Sequence, residues 1–231
     1  MLFETKKPIK ITETIFDILY LGIVLFFAIF LLYRDISLAS PKWVFGLTVL
    51  ILFLGDATHL IPRISAMWNK ESKMKPWIGY GKMATSLTIT LFYVGLWYLG
   101  IITFETTSLF ATKMTVAFLG LAFFRIVFCL LPQNKWKEDN ASFAWVIIRN
   151  IPFILMGIFV IVQYFIGGEG GSLANSAGGL QYLGILIIIS FAFYIPVLFL
   201  AKKYPKVGML MMLKTIAYVA IIIVGCLSFP S

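Results

Sequence analysis

The chain has 231 residues, of which 61% are apolar and only 13% charged, with a mean hydropathy of +0.96. Soluble domains carry about 25% charged residues, so the composition excludes a water-soluble globular fold and points to a polytopic membrane protein. The net charge of +9 does not point to nucleic acid, because the basic residues gather in the connections between apolar stretches and read as a topology signal.

Seven stretches approach the roughly 20 apolar residues that a helix needs to cross a bilayer. The first, 15–33, is too long for a signal-peptide core of about 7 to 15 residues and no small-residue cleavage site closes it. It is read as a retained span. The second, 43–62, carries Asp56 and His59 and runs into Arg63. Spacings of three and four residues bring these ionisable groups to one face of one helix. The basic segment from 63 to 82, with Trp68, Trp77 and Tyr80, is read as a loop at headgroup level, where aromatic rings and lysines settle.

The third span, 83–102, follows Lys82 and continues a polar stripe through Ser86, Thr90 and Tyr93. The fourth, 114–131, contains Arg125, and the fifth, 142–166, begins near Arg149 and Asn150. The glycine run at 167–172 lacks the Gly-Lys-Ser or Gly-Lys-Thr of a phosphate loop and reads as a linker. The sixth span is 180–201 and the seventh, 207–229, holds Lys214. Prolines 62, 132 and 196 recur near one end of the even spans, where a missing N–H kinks or ends a helix.

The expected fold is all-α: one domain, residues 1–231, forming a seven-helix membrane bundle. Fourteen of the nineteen Lys and Arg residues fall in the N-terminal tail and after spans two, four and six, against Arg34, Lys42 and Lys113 opposite. The positive-inside rule then sets the N-terminus inside and the C-terminus outside. Such a chain belongs in a bacterial cytoplasmic membrane as a multi-pass protein. The expected topology places Cys129 and Cys226 on opposite sides of the membrane, which argues against a disulfide. One His and two Cys do not make a zinc site, so no metal or cofactor is expected.

At about 1.5 Å per residue, Asp56, Arg125 and Lys214 all lie roughly 10 Å deep on the cytoplasmic side. A charge there costs about 2.5 to 3.5 kcal/mol unless it is faced by a partner. Asp56 is too short to reach water, and Arg125 or Lys214 is the expected partner. A carboxylate and an imidazole among excess cations suit general acid or base work beside a bound anion. Asp56 and His59 are therefore the candidate catalytic residues, and Arg63, Arg125, Lys214 and Lys82 the candidate anion or headgroup ligands. The expected partners are membrane lipids and an anionic small molecule or phosphate headgroup, with no nucleic acid.

The segment from Leu54 through Gly55-Asp56 to Pro62-Arg63, followed by Gly81 and Phe92-Tyr93, resembles the Gly-Asp segment and following helix of the lysoplasmalogenase-type membrane hydrolases. These cleave the vinyl-ether bond of lysoplasmalogens. The likeness spans about 40 residues, and the chain departs from the family in its span number and in lacking a late-helix Ser-Asp pair. The resemblance implies a catalytic role for Asp56. From the residues themselves three functions stay open: a hydrolase of phospholipid or lysophospholipid, a proton-coupled transporter or channel for a small anion, and a non-catalytic receptor or assembly subunit.

Overall fold

The computed structural model describes residues 7–33, 40–68, 71–104, 109–138, 142–170, 179–201 and 203–229. Its helices are α1 (Lys7–Leu32), α2 (Pro41–Trp68), α3 (Glu71–Thr103), α4 (Leu109–Leu130), α5 (Phe143–Gly170), α6 (Gln181–Leu200) and α7 (Leu210–Ser228). All seven are long and apolar enough to cross a membrane. Helices adjacent in sequence pack together, α7 closes the ring onto α1 and α2, and α3 also touches α5.

Three boundaries differ from expectation, two of them for one reason. α1 begins at Lys7, and α2 passes through Pro62 to Trp68 while α3 starts at Glu71. The segment read as a loop from 63 to 82 is thus helical apart from residues 69 and 70, which lie outside the described residues. The added turns of α1 and α2 hold each other: Arg63 Nη2 pairs with Glu13 Oε2 at 3.0 Å. Beside that pair, Trp68 Nε1 donates to Thr14 Oγ1 at 3.0 Å and Lys10 Nζ to the Met67 carbonyl at 3.4 Å. Tertiary contact outweighs the local signal of the proline. The glycine run falls partly on the end of α5, and residues 171–178 lie outside the described residues.

The closest helix packing is between α2 and α3, and it follows a seven-residue register. Gly95 meets Thr48, Gly55 meets Thr88, and Gly81 meets Thr58 and His59. Small residues let helix backbones approach where no hydrophobic force drives association, and a repeat of seven suits a crossing near +20°. Pro62 cannot donate to the Thr58 carbonyl four residues earlier, and it is this carbonyl that faces Gly81. A Cα–H···O contact suits that approach. Thr58 and Thr85 both donate to the Gly55 carbonyl, at 2.7 and 2.8 Å.

The bundle has two unlike halves. Around the end of α1 and the start of α2, the interior is mostly apolar: Leu31, Phe45, Val49, Leu96, Leu99, Val160, Leu183 and Ile222 are fully buried, and the polar side chains buried with them, Thr48, Thr103 and Ser228, carry no charge. Toward the other end, Asp17, Thr90, Arg125 and Asn150 are buried among tyrosines.

Candidate functional site

On α1, Glu13, Asp17 and Tyr20 stand at helical spacing on the face that continues through the buried Val24, Ala28 and Leu31. This face meets α2. The Tyr20 hydroxyl donates to Asp56 Oδ2. Asp17 is 6% exposed, its Oδ2 has no hydrogen bond, and Arg63, Glu13 and Asp56 lie within its electrostatic reach. His59, one turn further along α2, keeps a buried Nδ1 with no hydrogen-bond partner. Its charged neighbours are Arg63, Lys82 and Lys214.

Lys214 of α7 links this group to the rest of the bundle. Its ammonium lies 4.6 Å from the Tyr194 ring centroid and 5.1 Å from that of Tyr218, with Asp56 and Arg125 its charged neighbours. The ion pairs among the described residues do not include Asp56; a phenol serves it directly and Lys214 acts on it at longer range. Tyr218 lies beside Ser190, Tyr93 and Asp56. Neither its hydroxyl nor that of Tyr93 has a hydrogen bond of good geometry.

Arg125 sits across the layer, 3% exposed. Its Nε donates to Thr90 Oγ1 at 2.8 Å and its guanidinium lies 3.8 Å from the Phe153 ring centroid. Such a desolvated cation–π contact is worth about 2 kcal/mol. Nη1 is buried without a partner, so Arg125 is turned into the bundle and does not reach for headgroups. Tyr194 donates to Asn150 Oδ1 at 2.7 Å, fixing the ring over which Lys214 sits.

Arg149 is built in from another direction. After α4, a short 3-10 turn Pro132–Asn134 ends at Lys135 with φ 45°. Asn134 Nδ2 donates to the Leu131 carbonyl at 2.9 Å and Trp136 Nε1 to that of Cys129 at 2.9 Å, covering carbonyls that a helix end leaves unpaired. Arg149 Nη1 then donates to Asn134 Oδ1 at 2.9 Å and stacks 4.1 Å from the Trp136 ring centroid. It serves as a brace for this connection.

The residues singled out from the sequence thus divide. Asp56, Lys214 and Arg125 share one layer, Arg125 buried and the other two half-buried; His59, Arg63 and Lys82 lie on its charged rim, with Lys82 exposed. Asp56 and His59 make no hydrogen bond to each other among the described residues. Sequence reasoning passed over Asp17, Tyr20, Tyr194 and Tyr218, although Asp17 lies inside the first apolar stretch and shares a helix face with Tyr20. Cys129 and Cys226 are both free, and no three His, Cys, Asp or Glu side chains gather among the described residues.

The layer offers a carboxylate held by a phenol, two cations, and a guanidinium nitrogen, Arg125 Nη1, with no partner. It can hold an anion and move a proton beside it. No family model, no curated protein and no solved structure matches the chain.

Proposed function

We propose that the chain is a membrane-embedded hydrolase of a phospholipid or lysophospholipid, with its working layer open to the cytoplasmic leaflet of a bacterial cytoplasmic membrane. The N-terminus lies inside and the C-terminus outside, by the distribution of basic residues. One observation carries the reading: Arg125 Nη1 is buried without a partner in the layer that holds Asp56 and Lys214. An unpaired buried donor costs about 1 to 3 kcal/mol, and a phosphate would satisfy it.

In this reading Arg125 and Lys214 take the phosphate, with Arg63 and Lys82 drawing the headgroup in from the rim. Asp56 delivers a proton to the scissile group and His59 takes one from the attacking water. The uncharged, mostly apolar far half of the bundle, where Leu96 and Ile222 are buried, supports a site entered from one side over a path for transport. The test is turnover of a lysophospholipid, plasmalogen or ester-linked, by the purified protein. Asp56→Asn should abolish product release while mass spectrometry still finds co-purified lipid. Lipid-free protein, or turnover that survives Asp56→Asn, would overturn the reading; anion flux into vesicles without product would replace it with transport.

A further inference from the structure

The buried carboxylate of Asp17 has no part in the roles assigned so far. It is among the few charged side chains inside the bundle, its Oδ2 has no hydrogen bond, and an ionised carboxylate in that setting is costly. It is also placed between two things. On one side is the Glu13–Arg63 ion pair, at 3.0 Å with side chains 20% and 34% exposed, which is the partly exposed rim of the bundle. On the other is Tyr20, one helical turn along the same face of α1, whose hydroxyl donates to Asp56.

We propose that Asp17 is the proton carrier that connects the charged rim to Asp56, acting through the Tyr20 hydroxyl. The step moves protons only. The Asp17 carboxyl gives its proton to the Tyr20 oxygen as the Tyr20 proton passes to Asp56, which leaves Asp17 ionised, Tyr20 neutral as before and Asp56 protonated. Asp17 then recovers a proton from water at the Glu13–Arg63 rim. Tyr20 is suited to this because a phenol both donates and accepts. Asp17 is a positioning residue in this scheme: it acts on Asp56 and touches no substrate.

The charges that face this route come from every helix packed on α1. From α2 they are Asp56 and Arg63, and from α1 itself Glu13. From α7, Tyr218 reaches Tyr20 and Asp56, and Lys214 reaches Asp56. His59 has its electrostatic neighbours in Arg63, Lys82 and Lys214, which sets it beside the route and makes it the competing entry.

This deepens the hydrolase reading by naming what reloads its acid, and it rests on Asp56 being that acid. The experiment needs no substrate, so its outcome is separate from the turnover test. Infrared difference spectra of the protein in lipid nanodiscs identify the protonated Asp56 carbonyl band by its loss in Asp56→Asn. After transfer to D2O, the rate at which that band shifts reports proton access. Asp17→Asn should slow the shift at least tenfold, the low side of the roughly 10²-fold that a positioned proton carrier contributes. Tyr20→Phe should slow it alike, Asp17→Glu should restore it, and added formate should rescue Asp17→Asn. Formate does not mend a packing defect, so that arm separates relay from structure. Wild-type exchange in Asp17→Asn, slowing only in His59→Gln, or no protonated Asp56 band at any pH would each overturn the proposal.

Discussion

Gly55 and Asp56 are consecutive, yet they serve opposite sides of α2. Gly55 turns to α3, where it admits Thr88 and lends its carbonyl to Thr58 and Thr85. Asp56 turns to α1 and α7, where Tyr20 and Lys214 meet it. Along the α3 seam the polar groups are spent on backbone: Thr48 donates to the Val44 carbonyl, and Thr88 to Ala84 and Thr85. Along the other face, Asp17 Oδ2 and His59 Nδ1 stay without partners. Selection for stability alone accounts for the seam. It does not account for the layer, where several buried polar atoms each carry a penalty of about 1 to 3 kcal/mol.

That contrast can be broken first at the seam. A Cβ added at Gly81 would lie 2.7 Å from the His59 Cα, and backbone on both sides cannot yield. Gly81→Val is expected to prevent recovery of folded protein in detergent. Gly55→Ala meets Thr88 as far in as its Cβ, at 2.7 Å, which rotation does not relieve, so the helices must part slightly and overpacking of about 1 to 3 kcal/mol is expected. Thermal unfolding followed by tryptophan fluorescence checks both. If Gly81→Val melts with the wild type, the seam is not what holds α2 to α3.

In the layer, smaller losses are expected. Tyr20→Phe removes one hydrogen bond to Asp56, and within membranes such bonds average about 0.6 kcal/mol with a maximum near 1.7. The upper part of that range is expected, because the acceptor is a carboxylate. The Glu13–Arg63 pair is partly exposed and, if that exposure is to water, should contribute roughly 0.2 to 1 kcal/mol. A double-mutant cycle with Glu13→Gln and Arg63→Gln measures it, and the coupling should shrink as salt is raised. A coupling that ignores salt would place this pair inside the apolar region and remove it as a wetted rim.

The seven spans are legible in the sequence because each is long and nearly free of charge, a signal that packing cannot reverse. The extensions at Lys7 and Trp68 are not, since they rest on contacts such as Trp68 to Thr14 between residues 54 apart. Asp56 stood out because charge inside a span is costly. Asp17 is equally costly but stands near a boundary that the apolar pattern does not fix. Tyr20, Tyr194 and Tyr218 resemble ordinary membrane aromatics until their hydroxyls are placed. The partner of Asp56 was expected among the cations because charge is the easiest property to read, whereas a phenol on a neighbouring helix satisfies it.

The one substitution expected to cost no stability is also the sharpest test of the layer. Arg125→Met deletes a buried charge that has no ion pair among the described residues. It forfeits the hydrogen bond to Thr90 and the stacking on Phe153, which together favour arginine. Against this stands the release from burying a guanidinium, several kcal/mol even after relaxation. Thr90 is not orphaned by the change, since its hydroxyl still donates to the Ser86 carbonyl at 2.8 Å. Met is flexible enough to fill the space beside Phe153. Buried ions replaced by apolar side chains of similar volume often leave proteins unchanged or about 1 to 4 kcal/mol more stable. The expected melting temperature of Arg125→Met is therefore equal to or above that of the wild type, with co-purified anionic lipid and turnover both lost. A variant that melts several degrees lower while keeping its lipid would make Arg125 a structural tie between α3, α4 and α5, and the contrast between seam and layer would fail at its most buried charge.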